Sequence, residues 1–246
     1  MEKQFNQNLN NWLQEVANGC HIATNSTYNM DMDFYVFQSS VSFQPELMII
    51  GSNPGGEVSY RVMNQKWGRE RRTANDLGIS ECNQFIVNDG WGSMRSLCEL
   101  FSGPILRPVF EKAVITNIVY FNTGSCQGLR KRMNQGGREA LQFCVRKNLE
   151  LIRILCPQHI VLMGNPVRDN LMKYFDKPLQ SLLTTPSGGL NLIQETTLNG
   201  IPTYCIHHPS LNYKFNTGEN QRLKRATFET IFSDKDAADH KMLVQI

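Results

Sequence analysis

Apolar and polar positions along the chain fall into two alternating kinds of segment. Near the start, Phe5, Leu9, Trp12, Leu13 and Val16 recur at helical spacing, so Phe5 to Val16 reads as an amphipathic helix. Four short apolar runs follow: Glu46 to Gly51 (ELMIIG), Ala113 to Val119 (AVITNIV), His159 to Gly164 (HIVLMG) and Pro202 to His207 (PTYCIH). Their continuity and β-branched content suit strands buried on both faces of a mainly parallel sheet. Between them, Ser93 to Phe101, Gly137 to Cys156 and Pro166 to Phe175 read as helices, and Glu219 to Phe232 closes the chain as another. Asn165-Pro166 supplies a cap and first-turn pair for one of these.

Strands alternating with helices indicate βαβ units and an α/β protein. The stretch Leu192 to Leu198, Asn199-Gly200, Ile201 to Ile206 carries a strong hairpin signal, so the last strand should have one antiparallel neighbour beside its parallel partners. No repeat and no linker-like stretch divides the chain, which is expected to form one domain over residues 1–246.

Composition narrows the class. An apolar share of 41% supports a substantial core, and the longest apolar runs are too short to span a bilayer. Met1-Glu2-Lys3-Gln4 lacks the basic-then-apolar order of a secretory signal, so an intracellular, cytoplasmic protein with no membrane association is expected. Seven scattered cysteines with no CxxC pair argue against a disulfide framework and against the close-spaced ligands of zinc or iron–sulfur sites. They are expected to be free thiols in a reducing compartment. A net charge of +3 permits nucleic-acid binding without demanding it.

Ligands of open α/β sheets bind outside the carboxyl ends of the strands, so what each run ends in matters. The first ends in Gly51-Ser52-Asn53-Pro54-Gly55-Gly56, the second carries Asn117, the third ends in Gly164-Asn165-Pro166 and the fourth in His207-His208-Pro209-Ser210. Alone, GSNPGG reads equally as a turn; it is neither a Walker loop nor a GxGxxG loop. His208 alone can simply finish a strand. Asn117, in an apolar run, is either a structural bridge or a ligand reader.

In this order, strand–GxNPG, strand–Asn and strand–HPS resemble the uracil-DNA glycosylase superfamily, over about Glu46 to Ser210. The Asn53 form of the first motif is similar to the single-strand-selective and mismatch-specific branches, where the classical branch has Asp. The resemblance implies a three-layer α/β/α fold around a central, mainly parallel four-stranded sheet. It also implies a monofunctional enzyme that flips uracil or a related damaged base out of DNA and hydrolyses its N-glycosidic bond, without metal or organic cofactor. His208 would donate to uracil O2 as negative charge builds there. Asn53 would orient the attacking water, because an amide cannot take its proton. Ser52 and Asn117 would belong to the base pocket, Asn117 reading N3–H and O4. Trp67, in Trp67-Gly68, fits the stacking position, with Tyr60 as competitor.

Two departures stand beside the resemblance. After His-Pro-Ser the chain goes directly to Leu211-Asn212-Tyr213, so Leu211 or Tyr213 is the candidate wedge, while Ser210 and Asn212 are candidates to hold a flanking phosphate. The stretch from Glu57 to Arg72 is long and basic where the family has a small, tight loop. Three basic clusters follow the site-forming strands: Lys66, Arg69, Arg71 and Arg72; Arg130, Lys131 and Arg132; and Lys214, Arg222, Lys224 and Arg225. Each reads as a solvated face or as phosphate contacts. The expected partner is DNA containing uracil or a damaged base, bound by a monomer. The rivals are a weak or inactive nucleic-acid or base-binding protein that keeps the fold, and an unrelated doubly wound nucleotide-binding enzyme.

Overall fold

A computed structural model describes residues 2–25, 31–56, 58–87, 92–123, 135–210 and 214–233. Helix α1 (Glu2–Asn25) carries the amphipathic start well past Val16 and turns Leu9, Trp12, Leu13, Val16, Ala17 and Cys20 inward. Then follow β1 (Leu47–Gly51), α2 (Tyr60–Lys66), α3 (Gln84–Val87), α4 (Arg95–Leu100), α5 (Leu106–Glu111) and β2 (Val114–Asn117). The second half comprises α6 (Gln135–Leu155), β3 (His159–Met163), α7 (Asn165–Leu171), β4 (Gln180–Thr184), β5 (Asn191–Leu198), β6 (Ile201–Ile206) and α8 (Gly218–Ser233).

The strands form one sheet in the order β2-β1-β3-β6-β5-β4. The four apolar runs are β1, β2, β3 and β6, and they pair in parallel, with Gly51 opposite Asn117, Ile50 opposite Leu162 and Met163 opposite Ile206. The sheet is nevertheless six-stranded and mixed, not four-stranded. Strand β5 joins β6 antiparallel, as the Asn199-Gly200 turn predicts; both residues have positive φ (53° and 75°), as a two-residue hairpin turn requires. Strand β4 then adds antiparallel to β5. Its sequence, QSLLT, is exposed or half-buried throughout, so it presents no buried run by which an edge strand could be recognised.

Complete burial of β1 follows from helices on both faces. Met48 and Ile50 pack with residues of α1, α6 and α7, whereas Leu47 and Ile49 pack with residues of α3, α4, α5 and α8. Residues 31–39 cover the β2 edge. Phe37 bridges Thr116 and Phe34 bridges Phe121. The Gln38 N–H donates to Ile115 O (3.0 Å), and the Ile115 N–H donates to Ser39 Oγ (2.8 Å). Among the described residues no helix is long and apolar enough to cross a membrane. The described cysteines (Cys20, Cys82, Cys98, Cys144, Cys156 and Cys205) are free thiols; Cys126 lies outside the described residues.

Candidate active site at the carboxyl edge of the sheet

Parallel pairing lines up the ends of β2, β1, β3 and β6 along one edge. Beyond the paired Gly51 and Asn117, Ile118 N–H donates to Gly51 O (2.7 Å), Val119 N–H to Ser52 O (3.0 Å) and Thr123 N–H to Pro54 O (3.3 Å). The two loops therefore leave the sheet side by side. On the other side of β1, Gly164 N–H donates to Ile206 O (2.8 Å), which ties the end of β3 to the start of the histidine motif.

Two glycines bring the candidate side chains onto this edge. A Cβ on Gly51 would sit 2.7 Å from Asn117 Oδ1 and 3.3 Å from Met163 Cε. On Gly164, whose φ is +93°, a Cβ would sit 3.1 Å from the Cβ of His208. Asn117 thus lies over the last residue of β1, and His208 over the residue that follows β3. Any side chain at either glycine would displace them.

Asn53 is oriented by its own loop. Its Nδ2 donates to Pro54 O and to Thr123 O, both at 3.0 Å. Both amide hydrogens are thereby used, which fixes the flip and leaves Oδ1 as an acceptor. Neighbouring Ser52 is buried, and its carbonyl holds Val119. Asn117 is 4% exposed, and its Nδ2 has no hydrogen-bond partner among the described residues. An unmet buried donor costs roughly 1–3 kcal/mol, and such a group calls for a specific explanation. The Asn117 carbonyl is held by Asn148 Nδ2 (3.1 Å), which also reaches Tyr120 Oη (3.1 Å) and Cys144 O (2.9 Å) and so anchors the strand end to α6.

His208 is the best defined group. Its Nδ1 receives the Ser210 main-chain N–H (3.2 Å) and lies 2.7 Å from Ser210 Oγ. A main-chain N–H can only donate, so Nδ1 is an acceptor and the proton of the neutral ring sits on Nε2. Burial holds the His208 pKa below the usual 6.5, which favours that neutral ring. Preceding it, His207 stacks on Phe215 (centroids 3.4 Å apart, 16° between planes) and lies 3.2 Å from Asn191 O through Nε2, a supporting arrangement.

Beside the first loop opens a cavity of about 410 Å³, walled by Tyr35, Phe37, Gln38, Pro54, Gly55 and Asn122 among others. Its aromatic walls come from the segment before β1, which no motif in the sequence marks. The aromatics Phe34, Tyr35 and Phe37 were visible there, but nothing in the string ties them to the β2 edge. Trp67 does not wall this cavity; it caps α2, 42% exposed, with the Arg69 guanidinium 4.0 Å from its ring centroid. Tyr60 is a core residue. It is 1% exposed and stacked on Phe34, and its hydroxyl accepts from the Arg72 N–H (3.1 Å) and pairs with His21 Nδ1 (2.9 Å). No open ring face is left for a base.

The basic clusters divide. Arg72 is not a phosphate contact: it is buried and paired with Asp33 at 2.7 Å, with both side chains at most 1% exposed. Lys224 is buried as well and donates to Asn216 Oδ1 (2.6 Å). Arg69 pairs with Asp76, and Arg225 donates to Glu99 O. Lys66, Arg71, Lys214 and Arg222 remain exposed. Ser210 is exposed but its hydroxyl is engaged with His208. Leu211, Asn212, Tyr213, Arg130, Lys131 and Arg132 lie outside the described residues. Among the described residues no group of three or more His, Cys, Asp or Glu is placed to hold a metal ion. Compared with known proteins, the chain matches no protein-family model and no curated protein.

Proposed function

We propose that the protein is a uracil-DNA glycosylase-like enzyme, an α/β/α hydrolase that cleaves the N-glycosidic bond of uracil or a related damaged base in DNA. The observation that carries this reading is the fixed tautomer of His208. With Nδ1 tied to Ser210, its Nε2–H is a preset donor at the carboxyl edge of the sheet, in a form that can donate to a developing oxyanion.

The base enters the site flipped out of the stack. As the bond between C1′ and N1 breaks, its electron pair moves into the base and collects on O2, where the Nε2–H of His208 donates to it. The sugar left behind is oxocarbenium-like. Water, held by Oδ1 of Asn53, adds through oxygen to C1′ and passes its surplus proton on to solvent or the departing base. The unpaired Nδ2 of Asn117 is the donor suited to O4, and its Oδ1 accepts from N3–H. Cytosine presents the reverse pattern at those atoms, so one oriented amide discriminates against it. Exposed Lys66, Arg71, Lys214 and Arg222 suit phosphate contacts that position the strand without reading it.

The test is incubation with uracil-containing single-stranded, U:A and U:G oligonucleotides followed by alkali. Strand breaks are expected, and they should fall by about a hundredfold or more in His208→Ala, since removing one such donor typically costs that much. Asn53→Ala should lose a comparable share. Tight, salt-sensitive DNA binding by intact protein with no breaks on any substrate would sink the enzyme reading in favour of a binding protein on the same fold.

A further inference from the structure

Lys224 is an unusual residue for its position. It is 2% exposed, on the same face of α8 as Phe228 and Phe232, and among the described residues it has no carboxylate within ion-pairing distance. A buried ammonium without a counter-ion is costly, and an apolar side chain of similar length would avoid that cost. Among the described residues its one hydrogen bond goes to Asn216 Oδ1 (2.6 Å). Ammonium groups only donate, so this bond fixes which way the Asn216 amide faces. The Nδ2 of Asn216 is then directed at Pro209 O (3.1 Å) and His208 O (3.4 Å).

We infer that Lys224 is a positioning residue: through Asn216 it holds the His208-Pro209-Ser210 turn in the geometry that keeps the His208 ring donating from Nε2. The inference rests on the glycosylase reading for its catalytic consequence, but its structural core is independent of that reading. The turn has two hydrogen-bonded sides. Ser210 closes it from within onto Nδ1, and Asn216 holds its two carbonyls from without. Loss of the outer side frees the turn to rotate, and the Ser210 N–H then leaves Nδ1. The ring is no longer confined to one tautomer. Burial also lowers the Lys224 pKa to about 8, so the ammonium that orients Asn216 is itself held at a cost.

Two variants separate positioning from mere support. Lys224→Met removes the donor and the buried charge while keeping an unbranched apolar chain. Asn216→Asp gives the ammonium a counter-ion but turns an oxygen, in place of the Nδ2 donor, towards the carbonyls of His208 and Pro209. Long-range ¹H–¹⁵N NMR of the imidazole nitrogens reads the His208 tautomer directly, with or without activity. Both variants should stay folded, with Tm at or above that of the parent, while the His208 signals move from a pure Nε2–H pattern towards a mixture. On uracil DNA, kcat should fall about tenfold to a hundredfold with KM little changed, as expected for a misplaced catalytic group. If both variants keep the parental His208 pattern, or if both unfold, the positioning role is wrong. If the parent shows no cleavage but the tautomer shifts as stated, the positioning role stands and only the enzyme reading fails.

Discussion

Acid reaches the candidate site through His208. Burial depresses its pKa from 6.5, and charging the ring would oblige Nδ1 to give up the Ser210 N–H. A folded-state pKa below the unfolded value means that the associated stability is present above about 6.5 and is lost as pH falls through the folded value. His21, His159 and His207 are lowered too, burial being the leading cause in each, so a stability profile sums all four. The activity profile isolates His208: on the proposed reading kcat/KM on uracil DNA should stay level as pH falls to 6.5 and decline only at lower pH. An acid limb centred at or above 6.5 would contradict a neutral donor. Residues of this kind were legible in the sequence because they end strands, and strand ends of a parallel sheet converge whatever else the chain does. Trp67 and Tyr60 were not separable by the same means, since neither an exposed cap nor a buried stack is written in an aromatic residue alone. Lys224 was in principle legible, because Phe228 and Phe232 follow at intervals of one helical turn and mark its face as inward.

Between elements, Arg72 does the work that its charge disguised. It joins the segment that covers β2 to the segment after α2, through Asp33 (2.7 Å) and Asp76 O (3.0 Å), with Tyr35 stacked 4.2 Å from its guanidinium. Arg72→Met should therefore cost about 3–5 kcal/mol, because Asp33 is left buried without its counter-ion. Denaturant unfolding measures this. The salt dependence of DNA binding should be unchanged in the same variant, since a buried guanidinium releases no counterion. A slope reduced by about one would restore Arg72 to the phosphate surface. The four parallel strands could be read from the string because burial on both faces leaves an unbroken apolar run. Strand β4 could not, because an edge strand half open to solvent has no such run, and residues 31–39 could not because isolated bridges leave no periodicity.

Taken whole, the molecule is one sheet with a core on each face, and its local and distant pairings are divided between two ends. Strands β4, β5 and β6 are neighbours in sequence, and β5 meets β6 through Asn199-Gly200 alone. Strands β1, β2 and β3 meet only after long crossovers, and Gly51 and Asn117 are paired across one of them. Closing a two-residue loop is fast, whereas long-range parallel pairing must first overcome the entropy of the intervening chain. The hairpin is thus the natural seed of folding, and pulsed hydrogen exchange during refolding should protect amides of β5 and β6 before those of β1 and β2. Simultaneous protection of all four would argue against it. His208 follows β6, the strand expected to form early, while Asn53 follows β1 and Asn117 ends β2, the strands expected to form late. On the proposed reading the donor would then be in place before the groups that present water and base to it, and a chain stalled midway would hold half a site.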